Sequence, residues 1–107
     1  MQNEQDVVAM VTLNVTDRTF QAVAQKAGET LQRTISQLQG FIEGTVLTNE
    51  DKSRIVLLTK WQSRDMWAKA EWDNVVGHAV AELLEDSASY NLEFFFPLVD
   101  AGSNRMT

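Results

Sequence analysis

Apolar positions in this chain follow two rhythms. Val7 to Val15 (VVAMVTLNV) is β-branched and mostly apolar, which predicts a first strand. From Phe20 the spacing becomes helical: Phe20, Val23, Ala24, Ala27, Leu31, Ile35 and Leu38 make one apolar stripe. This predicts a helix of roughly five turns, capped by Thr16 or Asp17 and stopped by Gly40. Gly40 to Thr48 (GFIEGTVLT) and Arg54 to Trp61 (RIVLLTKW) read as second and third strands. The polar turn Asn49 to Lys52 between them makes a hairpin. Ser63 caps a helix that begins RDMWAKAEW, with Asp65 in its first turn, where a negative charge suits the helix dipole. Asp73 and Asn74 break it. A second piece carries Val75, Val76, Ala79, Val80, Leu83 and Leu84 on one broad face. Tyr90 to Phe96 is a fourth strand, and Pro97, which lacks an N–H, ends it or marks an edge.

The order β-α-β-β-α-β predicts an α+β, ferredoxin-like fold: a four-stranded antiparallel sheet with its helices on one face. Strands one and three lie inside, strands two and four at the edges. Such a sheet should alternate apolar and polar residues. Here Val7, Ala9, Val11, Leu13 and Val15 share one side of the first strand, but Val8 and Met10 occupy the other. The third strand repeats this, with Ile55, Leu57 and Trp61 against Val56 and Leu58. In the fourth, Phe94 and Phe96 face one way and Phe95 the other. The chain's helices cover one side only. A second copy stacked sheet to sheet would cover the other, and a twofold dimer is the simplest such assembly. The alternative is that the three phenylalanines fill one intramolecular core.

The length of 107 residues fits one domain, read as 7–98 with polar tails at 1–6 and 101–107. The formal net charge of −6, with nine scattered basic residues, argues against a nucleic-acid partner. No apolar run approaches a membrane span. The absence of cysteine excludes disulfides and fits a cytoplasmic location, and the polar start MQNEQD is not a secretory signal. With one histidine, His78, no closed zinc site of the usual kind can be built from one chain, and no metal-ligand spacing appears.

Gly40-Phe41 opening the second strand, and Trp61-Gln62-Ser63 joining an apolar third strand to a helix, resemble the antibiotic biosynthesis monooxygenase family of dimeric α+β barrels. The likeness covers roughly residues 7–98 in element order. It implies a homodimer whose sheets pack face to face. One branch comprises cofactor-free oxygenases of polycyclic phenols. There an apolar pocket between helices and sheet favours the deprotonated phenol, which passes an electron to O₂. By that resemblance Trp61 lines the pocket and offers its indole N–H to a substrate oxygen; the alternative is a core tryptophan at a strand end. The branch's Asn and Tyr positions fall on Leu57 and Trp67, so both polar groups have changed. Met66 and Phe94 join the expected lining. Trp72 lies about 140° around the helix from Trp67, and either ring is a ligand wall or ordinary packing.

Another branch binds and degrades haem through a helix histidine. His78 matches that ligand, but the branch's strand Asn falls near Val11 and its helix Trp near Ala68. His78 also suits a general base, since imidazole titrates near ~6.5. Tyr90, the sole tyrosine, is a second candidate for proton transfer. The leading expectation is a monooxygenase needing no cofactor, with a planar phenol or quinol as ligand. Catalytic roles fall to His78, Tyr90 and Trp61, and ligand contacts to Trp67, Trp72, Leu57, Met66 and Phe94. The alternatives are a haem protein and a non-enzymatic dimeric binding module.

Overall fold

The elements follow the predicted order, with β1 (Val7–Asn14), α1 (Phe20–Arg33), a 3₁₀ turn (Ile35–Gln37), β2 (Phe41–Thr48), β3 (Arg54–Trp61), α2 (Arg64–Glu71) and β4 (Ser89–Phe95). The computed structural model describes residues 6–71, 81–85 and 87–98, and 81–85 are again helical. The break expected at Asp73 and Asn74 lies outside the described residues. The four strands form one antiparallel sheet in the order β2-β3-β1-β4, as the ferredoxin-like topology requires.

Pairing register sorts every strand residue to a face. Val7, Ala9 and Leu13 of β1 join Ile55, Leu57 and Trp61 of β3 in a buried core. Val23, Ala27 and Leu31 of α1, then Ile35 and Leu83, pack onto it. Each large aliphatic side chain buried there contributes on the order of 1.5–3 kcal/mol. Gly44 of β2 leaves the space that Leu31 fills: a Cβ there would lie 2.8 Å from Leu31 Cδ1.

Among the described residues, no helix lies on the opposite face. Register places Phe95, Val8, Lys60 and Glu43 in one row across it, then Glu93, Met10, Leu58 and Thr45, then Asn91, Thr12, Val56 and Leu47. Val8, Met10, Val56 and Leu58 are half-buried by their neighbours, while Leu47 and Phe95 are 48% and 45% exposed. The two-sided apolar pattern is therefore real in the folded protomer.

Several boundaries differ from expectation for local reasons. The helix predicted to run to Leu38 stops at Arg33 and continues only as the 3₁₀ turn, with Leu38 extended. Thr34 and Ile35 are β-branched, and the Ser36 hydroxyl donates to the Gln32 carbonyl at 2.8 Å, which favours a tighter turn. At its start, Thr16 does not cap the helix directly. Its hydroxyl accepts from the Thr19 N–H at 3.3 Å, closing a turn that delivers the chain to Phe20, and Thr19 is the N-cap. β1 and β2 are each one residue shorter than expected, at Val15 and Gly40. β4 ends at Phe95, so Phe96 stands outside the strand rather than sharing the face of Phe94. Pro97 restricts the residue before it. Ser63 acts as predicted, its hydroxyl accepting from the Met66 N–H at 3.2 Å. In the hairpin turn, Asn49 Oδ1 accepts from the N–H groups of Ser53 and Arg54 at 3.0 and 2.9 Å. Asp6, expected in the tail, lies 3.8 Å from Lys60 Nζ.

Candidate functional site

The helix-facing side of the sheet brings the aromatic residues together at the end where β3 passes into α2. Trp61 closes β3 and is buried. Its indole Nε1–H donates to the Thr59 hydroxyl at 2.8 Å, and Phe41 meets its ring edge-on at 5.6 Å between centroids. The donor expected to reach a substrate oxygen is therefore engaged within the chain. Gly40 lets the chain turn here. It sits at φ 91°, and a Cβ on it would lie 2.5 Å from Met66 Cβ. The Gln62 N–H donates to the Gly40 carbonyl at 2.8 Å, tying the start of β2 to the end of β3.

One turn into α2, Trp67 packs edge-on against Phe94 of β4, with centroids 4.7 Å apart and planes at 83°. Both rings are half-buried against the core. An edge-to-face pair of this kind stabilises by about 0.5–1.5 kcal/mol beyond area burial. Arg64, the first residue of α2, lies over the pair, its Cζ 3.9 Å from the Phe94 centroid and 5.1 Å from that of Trp67.

Of the residues singled out from the sequence, Trp67, Met66 and Phe94 stand around the start of α2, and Leu57 is buried on the same face of β3 as Trp61. Tyr90 is opposite Leu13 in register, on the helix-facing side, and 56% exposed. It is four residues from Phe94, about 13 Å at ordinary strand rise. His78 and Trp72 lie outside the described residues. Sequence reasoning missed Phe41, Thr59 and Arg64. Thr59 was within reach of it, since a residue two positions before Trp61 shares its face. Arg64 was not, because only the folded topology brings Phe94 beneath it.

A depression of about 280 Å³ lies on the sheet, lined by Val8, Glu43, Gly44, Thr45, Leu58, Thr59 and Lys60. Val8, Glu43, Thr45, Leu58 and Lys60 belong to the uncovered face, opposite to that of the aromatic cluster. Among the described residues no group of His, Asp or Glu side chains is placed to hold a metal ion. Nor is any described helix long and apolar enough to cross a membrane.

No family model matches the sequence, and no curated protein matches it. Solved structures do. A monooxygenase from Streptomyces coelicolor, ActVA-Orf6, in complex with nanaomycin D, superposes with a TM-score of 0.80 at 19% identity, over 94% of each chain. A candidate antibiotic biosynthesis monooxygenase from Nitrosomonas europaea gives 0.77 at 15% identity, over 95% of this chain and 99% of that one. This chain has the fold of the antibiotic biosynthesis monooxygenases. SnoaB from Streptomyces nogalater, a cofactor-independent oxygenase, shares that monooxygenase fold at a TM-score of 0.67 and 17% identity, over 90% of this chain and 96% of its own. On this fold Trp61 and Phe94 stand on the helix-facing side of the sheet with Trp67 of α2 against Phe94, and the other side mixes apolar and polar side chains with no helix over it among the described residues.

Proposed function

We propose that this chain is a cofactor-independent monooxygenase acting on a planar phenol or quinol held against the helix-facing side of the sheet, and that it works as a homodimer. The observation that carries the reading is the half-buried Trp67–Phe94 pair, presented on a fold shared with oxygenases of that kind. A planar ligand gains from such a wall by stacking and by exclusion of water.

The chemistry asked of the protein is modest. The deprotonated ring passes an electron to O₂, and the resulting pair combines to form a carbon–oxygen bond. The O–O bond then breaks, one oxygen remains as a carbonyl, and the other leaves as water with the hydrogen of that ring carbon and the proton given up by the substrate hydroxyl. The protein contributes enclosure, orientation and a proton acceptor. Trp61 serves as a buried support rather than a ligand contact, since its N–H is committed to Thr59. We assign proton acceptance to His78, because Tyr90 lies far along β4 from the aromatic pair. The homodimer covers the unroofed sheet face. The cysteine-free sequence suits the cytoplasm.

Oxygen uptake with a panel of anthrones and hydroquinones tests the reading. At least one should give turnover, with Trp67→Ala lowering kcat/KM by about tenfold or more through lost positioning. The rate should fall in acid, where a protonated imidazole no longer acts as a base, and His78→Ala should flatten that limb. A panel with no turnover at all would remove the oxygenase assignment.

A further inference from the structure

We infer that the depression on the uncovered sheet face receives Phe95 of a second copy, and that the twofold axis of the pair runs along the strands. This rests on the homodimer proposed above and specifies how its two faces fit. Two features of that face are complementary. The depression of about 280 Å³ lies over β2 and β3, lined by Val8, Glu43, Thr45, Leu58 and Lys60. Phe95 of β4 belongs to the row of Val8, Lys60 and Glu43, and it is 45% exposed. Closed cavities of about 150 Å³ hold benzene, so the depression has room for a phenyl ring. Within one copy the two are apart: three strand spacings separate Phe95 from Glu43, about 14 Å.

Symmetry brings them together. In a twofold contact every pairing across the interface is made twice, once from each copy. Stacked sheets keep their strands roughly aligned, which leaves the axis two directions, along the strands or across them. The sheet order is β2-β3-β1-β4, so an axis along the strands between β3 and β1 sets β4 of each copy over β2 of the other. The partner's Phe95 then stands over Glu43, at the depression. An axis across the strands sets each strand over its own copy. Run through the middle row, it brings the partner's Leu47 to the depression, but it also places Glu93 directly on the partner's Glu93. Like charges facing each other are unfavourable. The axis along the strands keeps the two Glu93 side chains three strand spacings apart, and sets Lys60 one strand and one row from the partner's Glu93. Charge therefore selects Phe95 over Leu47 as the occupant.

The chain has no cysteine, so introduced thiols report on their own positions alone. The double variant Glu43→Cys/Phe95→Cys, treated with a bismaleimide that spans the roughly 10 Å between stacked sheets, should run at twice the chain mass on a denaturing gel. Glu43→Cys/Leu47→Cys should run at single mass after the same treatment. In sedimentation equilibrium, Phe95→Ala should raise the dissociation constant of the pair by about tenfold or more, and Leu47→Ala by no more than about threefold. A wild-type pair that is captured through Glu43 and Leu47, or by neither linkage, overturns the inference and leaves the homodimer standing. So does a Phe95→Ala protein that pairs as tightly as the wild type. A wild-type chain of single mass removes the homodimer and this inference with it.

Discussion

At the scale of single residues, the hydrogen bond from Trp61 to Thr59 separates what this tryptophan does from what the family likeness implies for it. Its N–H is buried and satisfied inside the sheet, so its first role is to fix the floor of the aromatic cluster. Thr59→Val keeps the shape of the side chain but removes the acceptor. Urea denaturation should show a loss of about 1–3 kcal/mol, the cost of a buried donor left without a partner. A loss below about 0.5 kcal/mol would mean the indole finds another acceptor. The family likeness made Trp61, Trp67 and Phe94 readable as one aromatic group, and strand and helix period placed each on its element. They did not make the direction of the indole N–H readable. That depends on a rotamer chosen by Phe41 and Thr59 together. Arg64 was hidden for a different reason: among nine scattered cations, nothing local distinguishes the one that folding lays over Phe94.

At the scale of elements, the junction of β2, β3 and α2 is held by one backbone conformation. Gly40 combines φ 91° with the near approach of Met66. Gly40→Ala should therefore cost more than about 1 kcal/mol, from both an unfavourable φ and a clash. Adding Met66→Ala should relieve little of this, because the Met66 Cβ, the atom nearest the new methyl, remains. The double variant should stay less stable than Met66→Ala alone, and equal stabilities would show that neither φ nor the close approach matters. The element order and the sheet order were legible because hydrophobic period, caps and turn residues agree along the chain. Where they conflict, boundaries moved. The apolar stripe of α1 runs on to Leu38, but Thr34, Ile35 and the Ser36–Gln32 bond turn its last part into 3₁₀. Period alone cannot weigh a side-chain hydrogen bond against a helical one.

At the scale of the whole molecule, the account rests on a division of labour between the two faces of one sheet. The helices roof the face that carries Trp61, Trp67 and Phe94. The other presents Val8, Met10, Val56 and Leu58 with Leu47 and Phe95, interleaved with polar residues such as Lys60 and Glu93, and nothing among the described residues covers it. In the proposed homodimer each such side chain would gain up to roughly 1.5–3 kcal/mol if fully buried. Leu58 is at the centre of that face, between Thr45 and Met10 in register. Leu58→Glu would set like charges facing across a twofold contact and should dissociate the pair. The most direct test is sedimentation velocity of the wild-type chain at micromolar concentration, beside Leu58→Glu. The account predicts a species of twice the chain mass for the wild type and a folded species of single mass for the variant. A wild-type chain that sediments as a well-folded single copy would contradict it.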